Sequence, residues 1–355
     1  MLSGSEVTTH QIICANSSGM HAVHSGSVDL VITSPPYPMI EMWDATFGAG
    51  DREVDRALRD GDGGRAFAAM HGQLDPVWAE CHRVLAEGGM LCLNIGDATR
   101  SLGEDFRLYS NHSRILHRLL EIGFSALPDI LWRKQTNAPN KFMGSGMLPA
   151  GAYVTLEHEY ILILRKGPRR AFTTAAAKAN RRHSALFWEE RNLWYSDVWT
   201  DLKGTGQELT TPGLRRRSAA FPYELAHRLI CMFSVRGDRV IDPFLGTGTT
   251  IFAAMANGRH SVGYELDGAF LPELEAAVSG LPEFARGHLD ARVQRHRDFI
   301  AAREQSHGPL KYRNRNHDFA VMTRQETEIS LHHVAAMEHR GEGVFAVEYE
   351  QQSLG

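Results

Sequence analysis

Cysteine is scarce in this chain and never paired: Cys14, Cys81, Cys92 and Cys231 stand alone among 355 residues, with no CxxC. That spacing excludes a disulfide framework and a cysteine zinc site, and predicts buried, reduced thiols in a cytoplasmic protein. Long apolar runs are missing too. Stretches such as Tyr160 to Leu164 fall far short of the ~20 residues that cross a bilayer. The opening MLSGSEVTTHQ lacks a basic segment ahead of an apolar core, so no export signal is expected. No GxxxxGK[ST] loop supports ATP hydrolysis, and no GxSxG supports a serine hydrolase. HEYIL at 158–162 lacks the second histidine of a zinc protease, and the histidines of the final stretch show no ligand spacing, so no metal is expected.

Excess charge is also absent overall, the net being −4. The distribution is uneven. Residues 165–217 hold twelve Lys/Arg against five Asp/Glu, a local +7 that leaves −11 on the rest. A basic segment on an acidic body suits a phosphate-facing surface, and a solvated arginine-rich loop is the plainer alternative.

What is present is a soluble composition, 43% hydrophobic and 23% charged, written as alternating strands and helices. Val28 to Thr33 reads as a buried strand, Ala66 to Ala86 as a helix with Leu74, Val77, Trp78, Cys81, Val84 and Leu85 on one stripe, and Met90 to Ile95 as the next strand. A helix over His112 to Ile122 and strands at Ile130 to Arg133 and Tyr153 to Arg165 follow. After the basic segment come a helix with Pro222 at its start and Gly237 past its end, a strand RVIDPF, a glycine loop, a helix TIFAAMANG and a strand HSVGYELD. Strands separated by helix-length segments predict an α/β protein with a mostly parallel sheet covered on both faces. Beyond residue 270 the pattern turns to charged helix, and ISLHHVAAMEHRGEGVFAVEYE suits a hairpin or an interface element.

Two stretches carry chemistry. In DPFLGTGTT, Asp242 to Thr250, Gly246 and Gly248 let the backbone turn tightly beside a ligand, and the following helix N-terminus favours an anionic group. Glu265 ends the next strand, where a carboxylate suits two ribose hydroxyls. The third glycine of a dinucleotide loop is replaced by Ile251, which turns the reading away from nicotinamide cofactors. The second stretch is TSPPY, Thr33 to Tyr37, at the end of a buried strand. Ser34 and Pro35 each precede a proline and are pushed towards extended backbone. Pro35 and Pro36 have no N–H, so the segment offers carbonyls and the Ser34 hydroxyl with few competing donors. That suits a ligand bringing an amino group. Tyr37 beside it is expected to stack on a planar base taken out of its duplex.

TSPPY upstream of DPFLGTGTT resembles the amino-methylating DNA methyltransferases of the permuted β class, over about His10 to Asp267. The resemblance implies a Rossmann-like α/β fold with a seven-stranded sheet and S-adenosyl-L-methionine as cofactor. It implies Ser34, Pro35, Pro36 and Tyr37 at the target base, and Ser34 in first position implies cytosine N4 rather than adenine N6. Around the cofactor it implies Asp242, Phe244, Gly246, Gly248, Thr249 and Glu265, with Phe221 and Pro222 near the methionine part, Asn16 towards the adenine, and Thr33. Asp97 in LNIGD falls near the cleft, and Trp132 to Lys134 matches a Trp-x-Lys strand. The loop from Met39 to Gly64 departs from the family pattern and is expected to be solvated or mobile.

The organisation implied is a catalytic half over 1–166, a basic and aromatic target-recognition insertion over 167–217, a cofactor half over 218–270 and a helical extension over 271–355. Within the insertion, Arg169, Arg170, Arg181, Arg182, Arg215, Arg216 and Arg217 are the candidate DNA contacts; most of its aromatics suit a local core. Double-stranded DNA is the implied partner, with a cognate restriction endonuclease and a homodimer allowed, in a bacterial or archaeal nucleoid. Cytosine C5 chemistry needs a Pro-Cys nucleophile, and none of the four cysteines follows a proline. An RNA target, an adenine-N6 enzyme of the same fold and a non-catalytic DNA-binding regulator are the alternatives.

Overall fold

The computed structural model describes residues 6–103, 105–134, 147–151, 153–204 and 221–351. In chain order the strands are β1 (Glu6–Cys14), β2 (Val28–Thr33), β3 (Leu85–Ile95), β4 (Ala98–Leu102), β5 (Asp105–Tyr109), β6 (Phe124–Ala126), β7 (Ile130–Arg133), β8 (His158–Lys166), β9 (Val198–Trp199), β10 (Arg239–Asp242), β11 (His260–Glu265), β12 (Tyr312–Arg313), β13 (Ala320–Val321), β14 (His332–His339) and β15 (Val344–Gln351). The helices are α1 (Asp44–Gly50), α2 (Arg52–Arg59), α3 (Gly63–Val84), α4 (Asn111–Ile122), α5 (Ala175–His183), α6 (Trp188–Trp194), α7 (Tyr223–Phe233), α8 (Thr249–Ala256), α9 (Leu271–Ser279) and α10 (Leu281–His307).

One sheet organises the chain, in the order β14-β15-β1-β11-β10-β2-β3-β8-β7-β9, with β6 paired to β8. β1, β11, β10, β2 and β3 are parallel neighbours, and β8 runs antiparallel between β3 and β7. Those seven form the expected sheet. The described residues bring it to eleven strands.

Alternation along the central strands explains the two faces. Val31, Leu91, Leu93, Leu162 and Leu164 point to the side that α3 and α4 cover with Leu74, Val77, Trp78 and Ile115. Leu30, Ile32, Cys92, Ile161 and Ile163 point to the other side, against Leu225, Leu229 and Ile230 of α7 and Ala253 and Ala254 of α8. β10 and β2 are adjacent, and their crossovers leave in opposite directions along the sheet: β10 leads through α8 to β11, β2 through α3 to β3. A crevice opens outside the carboxyl ends of strands at such a reversal, and the site lies there.

Two expectations are corrected. The stretch from Met39 to Gly64 is not a solvated loop: α1 and α2 fold there, burying Phe47, Val54 and Ala57 against the α3 face of the core. Most of the charges of α1 and α2 lie on α2, opposite the buried Val54 and Ala57, a pattern that composition alone does not distinguish from a loop. The C-terminal extension is helical only to His307. Its end, β14–β15, pairs antiparallel with β1 and widens the sheet, and Val334, Phe345, Val347 and Tyr349 enter a core with Ile12, Ile251 and Met255.

Segment 167–204 and the extension share a further small core of Phe187, Val293, Phe319, Val321, Ile329 and Leu331. The buried Arg292 of α10 grips Glu190 of α6 with two hydrogen bonds of 2.6 and 2.8 Å. Phe187, Trp194 and Trp199 are core residues as expected, whereas Trp188 and Tyr195 are exposed.

Candidate active site

Four strands end at one cleft of about 750 Å³, within the ~300–1,000 Å³ usual for small-molecule sites. β1 contributes Ala15 and Asn16 just past its end, β11 contributes Glu265, β10 contributes Asp242, and β2 contributes Ser34, Pro35 and Pro36. Phe221, Phe244, Gly246 and Thr249 line it from the cofactor side, and Met42, Trp43, Thr46 and Phe47 from the α1 side. The two sequence motifs, far apart in the chain, therefore form one cavity.

Asp242 is its buried anchor. The carboxylate accepts hydrogen bonds from the Thr33 hydroxyl (2.7 Å), the Thr250 hydroxyl (2.6 Å) and the Phe244 N–H (3.0 Å). One side chain thus ties the end of β2, the turn after β10 and the first turn of α8. Burial pushes its pKa up from 3.8 to about 6, against the pull of those three donors. Thr33 acts through this tie and does not line the cleft.

The glycine loop needs its glycines for two different reasons. Gly246 has φ +54 with open space where a Cβ would be, as a cradle for a ligand requires; Gly248 has φ +84 and a Cβ there would meet Leu274 at 2.5 Å. Glu265 accepts the Gly246 N–H at 2.8 Å and the Asp267 N–H at 2.9 Å. Burial raises its pKa, and those two backbone N–H groups oppose the rise. A carboxylate holding the loop through one lone pair of each oxygen keeps others for ligand hydroxyls. Asn16 is exposed at the rim, where its side chain accepts the Ser18 N–H. Pro222 caps α7 and sets Phe221 against the cavity. A nucleoside with a charged tail fits these residues: carboxylate at one end, apolar walls in the middle, Ser34 beyond.

At the other end the structure differs from expectation in one respect. Tyr37 is buried, and its ring lies so close to Gly96 that a Cβ there would sit 3.0 Å from it. It does not line the cavity, where stacking on a base was expected of it. Its hydroxyl instead accepts from Ser34 Oγ (3.1 Å) and Asn94 Nδ2 (2.8 Å) and donates to Glu159 Oε2 (3.0 Å). The backbone turns sharply after the prolines, with Met39 at φ +68. That conformation is held by Asn111, which donates to the carbonyls of Pro38 and Gly96, both at 3.0 Å. Aromatic rings that do line the cavity include Trp43 and Phe47. Asp97 pairs with His112 at 2.8 Å rather than facing the cleft, and the Trp132 indole donates to the Leu202 carbonyl.

The four described candidate DNA arginines do not line this cavity. Arg170 pairs with Asp238 through two hydrogen bonds of 2.6 and 2.8 Å, at the strand ends opposite the cleft. Arg182 pairs with Glu328, and Arg181 lies over the Phe172 ring. Arg169 is exposed. Arg215, Arg216 and Arg217 lie outside the described residues. Sequence reasoning missed Asn94, Asn111, Trp43 and Glu159; HEYIL drew notice only as an incomplete zinc motif.

Residues 28–275 match the family model N6_N4_Mtase, DNA methylase. Type II methyltransferase M.MthZI of Methanothermobacter thermautotrophicus is 49% identical over 327 residues, covering 92% of this chain and 91% of its own. Type II methyltransferase M.MjaI of Methanocaldococcus jannaschii is 45% identical, covering 78% of this chain and 94% of its own. Among solved structures, TTHA0409 of Thermus thermophilus complexed with S-adenosyl-L-methionine aligns with a TM-score of 0.58 at 30% identity, over 77% of this chain and 95% of its own.

Proposed function

Since this chain belongs to the N6_N4_Mtase family of DNA methylases, we propose a specific target for it: the exocyclic N4 amino group of a cytosine turned out of duplex DNA. S-adenosyl-L-methionine is the cofactor, and when bound it supplies an activated methyl group on a sulfonium. The observation that carries the reading is Ser34 and two prolines without N–H groups in the same cavity as the glycine loop and Glu265.

The protein's part is to hold and orient. Glu265 and the Gly246 cradle suit the ribose end, Phe221 and Phe244 the apolar middle, and Ser34 with the Pro35 carbonyl the amine. An arylamine is a poor nucleophile because its lone pair is shared with the ring. Acceptors on its N–H bonds favour a pyramidal nitrogen with growing positive charge, an interaction stronger in the transition state than in the ground state. No nucleophilic side chain is required. Trp43 lines the same cavity, whereas Tyr37 is buried and committed inward. A cognate endonuclease and a homodimer fit the Type II relatives and belong to this proposal, as does a recognition role for 167–217.

The test is label transfer from methyl-tritiated cofactor to double-stranded DNA, with the digested nucleosides separated. Label is expected in N4-methylcytosine, with Ser34→Ala losing about 10²-fold in rate and binding cofactor normally. Label in N6-methyladenine would move the target to adenine. DNA binding without label would make the protein a regulator, and preferential labelling of competing RNA would replace the substrate.

A further inference from the structure

Behind Ser34 lies a hydrogen-bond chain that ends on a carboxylate. Ser34 Oγ donates to Tyr37 Oη at 3.1 Å, and Tyr37 Oη donates to Glu159 Oε2 at 3.0 Å. Asn94 Nδ2 donates to both Tyr37 Oη (2.8 Å) and Glu159 Oε2 (2.7 Å), while Lys134 Nζ donates to Glu159 Oε1 (2.9 Å). An ionised carboxylate only accepts, so it fixes the direction of every link. Tyr37 must point its proton at Glu159. Its oxygen then accepts from Ser34, and the Ser34 lone pairs face the cavity. Asn94 carries the mark of this arrangement: its Oδ1 is buried without a partner. Leaving an acceptor unpaired is unfavourable, so the amide is turned by the carboxylate and not by its own best bonding. Tyr37 stays protonated because burial and the adjacent Glu159 both resist its ionisation.

We propose that Glu159 is the positioning residue and proton acceptor at the end of a relay Ser34–Tyr37–Glu159. The inference rests on the amino-methylation reading above. An amine that gains a methyl group carries one proton too many. In the relay that proton passes from nitrogen to Ser34 Oγ as Ser34 passes its own to Tyr37 Oη and Tyr37 passes its own to Glu159. The nitrogen keeps the electron pair of the broken N–H bond and becomes neutral. Glu159 ends as a neutral acid; Ser34 and Tyr37 end as they began, each with a new proton. The carboxylate is 12% exposed and its partner Lys134 40%, which gives the proton a short way to solvent.

Glu159→Gln keeps the shape and removes the charge. Its kcat should fall about 10²-fold, with the KM for DNA and the Kd for cofactor unchanged. Tyr37→Phe should fall similarly, the double variant should fall no further than either alone, and Glu159→Asp should recover part of the loss. A readout independent of turnover is the ultraviolet titration of tyrosinate, with Tyr37→Phe identifying the signal: Tyr37 should ionise at lower pH once Glu159 is neutralised. Unchanged kcat in Glu159→Gln, or additive losses in the double variant, would overturn the relay while leaving methyl transfer intact. A wild-type protein that methylates no nucleobase would instead overturn the reading beneath it.

Discussion

Asp242 shows how one side chain does two jobs at the residue scale. It joins β2, β10 and α8, and its carboxyl titrates near neutrality because it is buried. The sign of the consequence follows from the direction of the shift. The folded carboxyl binds its proton up to about pH 6, the unfolded one only below about 3.8. Between those values the native state holds the extra proton, so this group's contribution to stability rises as pH falls from about 6 to about 4 and is lost as pH rises. The span corresponds to about 2–3 kcal/mol. Asp242→Asn should flatten that part of the stability profile, measured by denaturant unfolding at a series of pH values. An unchanged slope would mean the carboxyl is not protonated in the folded protein. The meeting of Ser34, Asp242 and Glu265 at one cleft was legible in the sequence because each sits in a short motif at the end of a strand. Glu159, Asn94 and Tyr37 as a unit were not. They are up to 122 residues apart, and the β3–β8 register brings them together.

At the scale of elements, the basic and aromatic segment is tied down by a buried ion pair. Arg292 and Glu190 are each about nine-tenths buried, so neither can lose its partner cheaply. Glu190→Ala leaves a guanidinium in apolar surroundings, and the expected loss is about 3–5 kcal/mol, read from the denaturation midpoint. Removing Glu338 from the half-exposed pair with Arg340 should change stability by about 0–1 kcal/mol. Equal effects would show that burial does not set the worth of these pairs. Composition pointed to a DNA-facing surface here. Charge counts do not reveal that Arg170 and Arg182 have carboxylate partners 68 and 146 residues away. The aromatic content was the better guide, since Phe187, Trp194 and Trp199 do form core. Helices α1 and α2 escaped notice because each is under nine residues long, α1 with two glycines and α2 mostly charged.

Across the whole molecule, strand–helix alternation was enough to read the parallel sheet, because strands buried over most of their length, such as β2 and β3, leave short apolar runs. The end of the chain was harder, since a hairpin with one polar face gives no hint of which edge it joins. It joins β1, and the Tyr349 hydroxyl donates to the Met255 carbonyl at 2.6 Å in the core beyond. Ending the chain before His332 would uncover β1 and withdraw Val334, Phe345, Val347 and Tyr349, each worth about 1.5–3 kcal/mol. Such a truncation should be insoluble or unfold at far lower denaturant. A soluble truncation with the full-length midpoint would show that the hairpin is an appendage and not part of the sheet.

All of this depends on where the reactive methyl comes to rest. A crystal of the protein with S-adenosyl-L-methionine measures that directly. The ribose hydroxyls should meet Glu265, and the methyl should point across open cavity towards Ser34 Oγ and the Pro35 carbonyl. A methyl turned away from Ser34, or sealed against protein with no room for a base, would contradict the account.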